Sequence, residues 1–102
     1  MTTVKIAARC LDEDLPALPR QIQIGFFARI DILRENPRHG KRLSGTLRDF
    51  YRLRLGRYRI VYHITPDEVV WIIAVGIRKE GARDDVYARL NKLLRSDQVT
   101  LE

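Results

Sequence analysis

Apolar and polar residues alternate on both sides of Gly56-Arg57. Alternation of this kind has the two-residue period of a β-strand with one buried face. Two such strands, joined by a two-residue loop that begins with glycine, predict a β-hairpin with a type II′ turn. This loop sets the register of the strands, so we expect Leu55 to face Tyr58 and Arg54 to face Arg59.

The predicted hairpin has one apolar face and one cationic face. The apolar face would carry Leu53, Leu55, Tyr58, Ile60, Tyr62 and Ile64, and the cationic face Phe50, Arg52, Arg54, Arg59 and Val61. Because like charges directly opposite on neighbouring strands are destabilising, the arginines indicate a site for an anion. The alternative is that these arginines are simply solvated on the wet side of a sheet, and the hairpin alone does not separate the two.

The rest of the pattern predicts three helices and two more strands. Before the hairpin we expect a strand over 3–10, a short helix from Asp12 that stops before Pro19, a helix over 19–36, and a basic loop over 37–48. After it we expect an apolar, β-branched strand over 69–77, a charged loop over 79–85, a helix over 86–96 and a tail over 97–102. The apolar stripe Ile22, Phe26, Ile30 and Leu33 supports the longer helix.

These elements predict one α+β domain over residues 1–102, in the order β-α-α-β-β-β-α. We expect a small antiparallel sheet of about four strands, two N-terminal helices packed on one face, and a C-terminal helix. The cationic face of the hairpin would then be the open face. In the last strand, Ile73, Val75 and Ile77 would point one way, and Ile72, Ala74, Gly76 and Arg78 the other. The second row shrinks towards Arg78 and would leave room above the sheet.

Charge is concentrated on and just before the hairpin. The chain has a formal net charge of +6, and residues 41–59, with seven basic residues and one acid, account for all of it. A basic patch with interleaved aromatic residues is typical of proteins that bind a polyanion such as RNA, although it would also attract an acidic protein. No apolar run reaches the length of a membrane span, there is no signal-peptide pattern, and the one cysteine, Cys10, excludes an internal disulfide. We therefore expect a cytoplasmic protein.

Several kinds of catalytic site are poorly supported. His39, His63 and Cys10 have no metal-ligand spacing, so we expect no metal and no cofactor. Ser44 and Ser96 lie in no recognisable nucleophile context. The two histidines could act as base and acid in RNA cleavage. A scheme based on arginine and tyrosine is the stronger alternative, because RNA carries its own nucleophile, the 2′-OH, and its cleavage needs mainly orientation and charge neutralisation.

The chain resembles the RelE/ParE toxin superfamily, and within it the RelE-type messenger-RNA interferases, over nearly its whole length. The segments that carry the resemblance are KRLSG at 41–45, YRLRLGRYRIVY at 51–62, VGIR at 75–78 and DVY at 85–87. It implies the toxin of a type II toxin–antitoxin pair that cuts messenger RNA in the ribosomal A site. Cleavage would proceed without metal, by 2′-OH attack on the adjacent phosphate. The implied partners are a cognate antitoxin, in a toxin–antitoxin heterotetramer, the ribosome and messenger RNA, with no membrane.

The resemblance also implies a catalytic set. Arg52 and Arg54 would orient the phosphate and the 2′-OH, Arg59 and Arg78 would neutralise transition-state charge, and Tyr87 would stack on a base or transfer a proton. The basic residues around them, Lys41, Arg42, Arg48 and Arg57, would bind RNA. The segment 79–85 is longer than the resemblance implies, which would displace Tyr87 from the other four.

Two other functions compete with the nuclease. A ParE-like toxin that inhibits DNA gyrase would share the fold, and the arginine and tyrosine set argues against it. A degenerate member would bind RNA or the antitoxin without cutting. In either case we expect an acidic or amphipathic antitoxin segment to cover the basic face.

Overall fold

The computed structural model describes residues 1–96, so the predicted tail over 97–102 lies outside the described residues. The strands are β1 (Val4–Ile6), β2 (Lys41–Arg42), β3 (Tyr51–Leu55), β4 (Tyr58–Ile64) and β5 (Val70–Ile77). The helices are a π-helical turn (Cys10–Asp14), a 3₁₀ turn (Leu15–Ala17), α1 (Arg20–Glu35), a second 3₁₀ turn (Gly45–Leu47) and α2 (Val86–Arg95). One sheet contains all five strands, in the order β1-β5-β4-β3-β2.

The predicted α+β class is confirmed, and three details of it were wrong. The sheet has five strands, because the basic loop over 37–48 contains β2, which pairs with β3. It is mixed and not purely antiparallel, because β1 runs parallel to β5. The first strand ends at Ile6 and not at residue 10, because the chain turns helical from Ala8. That turn is closed by two hydrogen bonds of 2.8 Å from Arg9 to Asp14, and it buries Cys10 completely.

The hairpin forms as its turn chemistry predicts. Leu55 pairs with Tyr58 and Arg54 with Arg59 across β3 and β4. Gly56 has a φ of +60°, and it alone of the two loop residues has a positive φ, which fits a type II′ turn. The three arginines of the hairpin therefore share the side of the sheet that the alternation assigns to them.

A bulge changes the predicted faces of β5. Val61 pairs with Ala74, whereas the next residue, Tyr62, pairs with Ile72, so Ile73 has no partner of its own. One extra residue in a strand shifts its alternation. Ile72 therefore shares the α1 side with Val75, and Ile73 shares the opposite side with Ala74. The prediction that Ile73 and Val75 point the same way was wrong.

The sheet separates two apolar clusters. On one side α1 packs Phe26, Ile30 and Leu33 against the apolar face of the hairpin. On the other side α2 packs Val86 and Leu90 against β4 and β5. The face predicted to be open is therefore covered in part. The room above Gly76 is filled by α2, since a Cβ there would lie 3.4 Å from the Val86 side chain. Within residues 1–96, the part over β3 and the hairpin end remains open.

A buried carboxylate links the N-terminal turn to both β5 and α2. Asp14 is 3% exposed and accepts hydrogen bonds from Arg9, from the Val75 amide at 3.1 Å and from Arg89 at 2.7 Å. Burial alone would raise the pKa of Asp14, but Arg9, Val75 N and Arg89 together outweigh it and lower the pKa. The ionised carboxylate thus stabilises the fold.

This arrangement predicts acid sensitivity. A carboxyl whose pKa is depressed in the folded state contributes its full stabilisation above the unfolded value of 3.8 and loses it as the pH falls through the lower, folded value. We expect Asp14→Asn to lower the free energy of unfolding by about 2–4 kcal/mol at pH 7. As the pH falls from 7 into the acid range, the variant should lose less of this free energy than the unaltered chain does. Urea unfolding across this range measures both effects. Equal acid sensitivity of the two proteins would contradict this role for Asp14.

Candidate active site

A cationic cleft opens where the hairpin, β2 and the start of α2 meet. Its volume is about 300 Å³, and its lining consists of Lys41, Arg42, Leu43, Ser44, Arg52, Arg54, Arg59, Arg78 and Tyr87. Six of these nine residues are basic and none is acidic. The structure thus brings together all five residues predicted to be catalytic, although they come from four different elements or their ends.

The hairpin supplies three of the cations in the cleft, which repel one another: Arg52, Arg54 and Arg59. Arg54 and Arg59 are direct partners across the two strands. The Arg59 guanidinium donates to the carbonyl oxygens of Tyr58 at 2.8 Å and Gly56 at 3.1 Å, which fixes it at the turn. Desolvation, with the charges of Arg54, Arg52 and Arg78, lowers the pKa of Arg59. The arginines of the cleft therefore repel one another, and an anion bound between them would relieve this repulsion.

Arg78 is positioned by the carboxylate of Asp85. Its amide donates to Arg57 O at 2.8 Å, which extends the sheet by one residue, and its Nη1 donates to Asp85 Oδ1 at 2.7 Å. The hydrogen bond that Arg78 donates to Asp85 raises the pKa of Arg78. Burial would raise the pKa of Asp85, but its hydrogen bonds, that from Arg78 foremost, lower it. This carboxylate is only 4% exposed.

The same carboxylate begins α2. It accepts hydrogen bonds from the amides of Tyr87 at 3.1 Å and Ala88 at 3.3 Å, as an N-cap residue does. It also accepts one from the Lys79 amide at 2.7 Å. One side chain therefore holds Arg78, the start of the following loop and the first turn of α2. Sequence analysis did not assign Asp85 a role, although an aspartate directly before an amphipathic run is a known N-cap signal.

Tyr87 lies in the cleft, so the displacement expected from the longer segment 79–85 does not occur. That segment folds back through a turn in which Ala82 N donates to Lys79 O at 2.9 Å, and Gly81 adopts a φ of +84°. The Arg78 guanidinium carbon lies 4.8 Å from the centre of the Tyr87 ring, within the range of a cation–π contact. Burial raises the pKa of Tyr87 against the opposing effect of the arginines, so the phenol stays protonated at neutral pH.

The four residues predicted to bind RNA divide into two pairs. Lys41 and Arg42 line the cleft. Arg48 and Arg57 do not: Arg48 donates to Gly45 O at 3.3 Å, and Arg57 stands exposed at the tip of the hairpin. The alternation of β3 and β4 carries no information on where an exposed loop residue points.

The histidine alternative receives no geometric support. His63 lies against Asp49 O at 3.1 Å and contacts the edge of Phe50, and His39 lies among the residues that precede β2. Neither lines the cleft. Within residues 1–96, no group of three or more His, Cys, Asp or Glu side chains could hold a metal ion. Over the same residues, no helix has the length and apolar character needed to cross a membrane.

The fold of this small mixed sheet is also found in known proteins. The sequence model of the family described as "ParE toxin of type II toxin-antitoxin system, parDE" matches residues 4–81. The toxin–antitoxin complex RelBE2 from Mycobacterium tuberculosis is 30% identical, with 76% of this chain and 98% of that chain covered and a TM-score of 0.67. No match was found among curated protein sequences.

Two more distant structures share the fold. A mutant of the E. coli toxin RelE in the free state is 22% identical over 92% of this chain and 96% of that chain, with a TM-score of 0.69. The RelB–RelE complex from Methanococcus jannaschii is 23% identical over 72% and 88% of the two chains, with a TM-score of 0.59. The chain belongs to the RelE/ParE superfamily of type II toxin–antitoxin toxins.

Proposed function

We propose that this toxin is a metal-independent, ribosome-dependent endoribonuclease that cuts messenger RNA in the A site and so stops translation in the cytoplasm. The observation that carries the proposal is the convergence of Arg52, Arg54, Arg59, Arg78 and Tyr87 on one cleft without an acidic side chain in its lining. Such a site suits a phosphodiester, whose negative charge grows in the transition state.

The reaction needs little covalent help from the protein. The 2′-hydroxyl oxygen forms a bond to the adjacent phosphorus and loses its proton to solvent, the bond from phosphorus to the 5′-oxygen breaks, and the leaving 5′-oxygen takes up a proton. Arg52 and Arg54 orient the phosphate and the 2′-OH through charged hydrogen bonds. Arg59 and Arg78 neutralise the developing charge. Arginine stays protonated and is a weak proton donor, so Tyr87 is assigned either to proton transfer through its phenol or to stacking on a base.

The decisive test is a cell-free translation reaction to which the purified chain is added. Primer extension then maps the ends of the messenger RNA. We expect cuts in phase with codons, present only when ribosomes engage the message. The same message without ribosomes is the control. Intact message with unaffected translation would contradict the proposal.

A ParE-like gyrase inhibitor is the second candidate, because the matching family model carries the ParE description. It makes a different prediction, which is inhibition of DNA supercoiling by gyrase with no messenger-RNA cleavage. The cationic cleft favours the nuclease, since inhibition of a protein target does not require five converging side chains around an anion-sized space.

The proposed partner is a cognate antitoxin, as in the toxin–antitoxin complexes of the similar structures, and the proposed assembly is a heterotetramer. We propose that an acidic or amphipathic antitoxin segment covers the cleft and neutralises its charge. We expect complex formation to weaken as the ionic strength rises, because exposed charge pairs are screened. Titration of labelled toxin with the antitoxin at increasing salt measures this, and salt-independent affinity would contradict an electrostatic contact.

A further inference from the structure

A second basic groove lies beside the cleft, on the α1 side of the edge formed by β2 and β3. Its volume is about 500 Å³. Its walls include Arg29 and Ile32 of α1, together with His39 and Gly40, and it shares Lys41, Arg52 and Arg54 with the cleft. We propose that this groove binds the backbone of the RNA strand next to the reacting phosphate, so that one strand crosses the sheet edge from cleft to groove. This inference rests on the proposed function and assigns Arg29 and His39 to substrate binding.

The walls of the groove are held in place by specific contacts. The Gly40 amide donates to the Tyr62 hydroxyl at 3.0 Å, and a Cβ at Gly40 would lie 2.5 Å from Arg52 O. Only glycine allows the chain to pass so close to β3. On the opposite wall, Arg29 Nε donates to Arg54 O at 3.2 Å. This bond holds the guanidinium at the free edge of β3, beyond the two residues that β2 covers.

The charge of the groove suits a phosphate backbone. Its lining contains three arginines and a lysine and no carboxylate. Carboxylates in the same region are engaged elsewhere: Asp31 with Arg34, and Glu68 in two hydrogen bonds of 2.8 and 2.9 Å with Arg38. An acidic protein would also be attracted. RNA is favoured because three cations are common to the groove and the cleft, so a strand whose phosphate occupies the cleft meets the groove without a gap.

The test uses fluorescein-labelled single-stranded oligodeoxynucleotides, which lack the 2′-OH and cannot be cut. Two lengths, about four and about twelve nucleotides, distinguish occupancy of the cleft alone from occupancy of cleft and groove. We expect Arg29→Ala to weaken binding of the longer strand about fivefold and to reduce the salt slope by about one, as the loss of one phosphate contact does. The shorter strand should bind unchanged. Fluorescence anisotropy between about 50 and 200 mM salt measures both.

Matched variants separate charge from structure. Arg29→Lys keeps the charge and should retain most of the affinity, whereas Arg20→Ala removes an exposed arginine from the first turn of the same helix and should have no effect. The groove proposal is overturned if Arg29→Ala weakens binding of both strand lengths equally. It is also overturned if Arg29→Ala weakens binding of an acidic antitoxin peptide but not of the longer strand. The assay involves no cleavage, so its result does not depend on the ribosome experiment. If the unaltered chain makes codon-phased cuts and Arg29→Ala binds the longer strand with unaltered affinity, the groove is rejected and the proposed nuclease activity is retained.

Discussion

Arg59→Ala should lower messenger-RNA cleavage about a hundredfold or more while leaving the free energy of unfolding unchanged or slightly raised. The loss is that of a preorganised charge aimed at the transition state. The free energy of unfolding should not fall, because Arg59 lies opposite Arg54 and near Arg52 and Arg78 and is repelled by them. Removing one of these like charges relieves the repulsion. Primer extension at saturating ribosome concentration gives the cleavage rate, and urea unfolding gives the stability.

The control for Arg59 is its neighbour in the hairpin. Arg57→Ala removes an equal charge at the exposed tip, outside the cleft, and should change the rate only slightly. In cells, Arg59→Ala should relieve growth arrest, and so should Arg78→Ala. A double variant that is stably expressed and still toxic would reject the assigned site. A deficit that disappears at higher toxin concentration would indicate a role in binding alone.

Asp85→Ala should affect both stability and catalysis. It removes the N-cap of α2, the carboxylate partner of Arg78 and the acceptor of the Lys79 amide. We expect the free energy of unfolding to fall by about 2 kcal/mol, the upper range for loss of a cap. We also expect the cleavage rate to fall at least about tenfold, because Arg78 and Tyr87 lose their common anchor. Cleavage should be measured well below the unfolding midpoint, so that the two effects are separated.

Two substitutions isolate the role of the charge at Asp85. Asparagine is an equally good N-cap residue, so Asp85→Asn should recover most of the stability. It removes the ionic contact of 2.7 Å and leaves Arg78 the longer contact of 3.8 Å with the exposed Glu80, so the rate should still be reduced. Asp84→Ala is the matched control. The Asp84 carboxylate is exposed, and it pairs with the Lys79 ammonium at 3.9 Å. Wild-type cleavage by Asp85→Asn would show that the ionic contact with Arg78 does not matter for catalysis.

The sequence predicts those parts of the fold that are set by local rules. The hairpin register follows from a two-residue loop that begins with glycine, and α1 from one apolar stripe ended by Pro37. The missed strand β2 has two residues, both exposed, too short to show a period. The bulge at Ile73 has no local signature, because all its neighbours in β5 are apolar and fit either face.

Two sources predicted residues of the cleft, namely the pattern of the strands and the family resemblance. Alternation placed Arg52, Arg54, Arg59 and Arg78 near one face, and the resemblance added Tyr87. The approach of Tyr87 depends on how segment 79–85 folds back onto Asp85, which is a tertiary contact. Which loop arginines line the cleft depends likewise on the path of the chain between Lys41 and Phe50, where no periodic pattern operates.

The order in which the chain is synthesised gives the Asp14 contacts a further significance. The carboxylate leaves the ribosome early, but two of its partners, Val75 and Arg89, lie 61 and 75 residues later. Strand β1 must likewise wait for β5, the strand with which it pairs. Long-range pairings of this kind form late. The Asp14 contacts of the nascent toxin therefore stay incomplete until α2 has been made, and so does the cleft, because Tyr87 belongs to that helix.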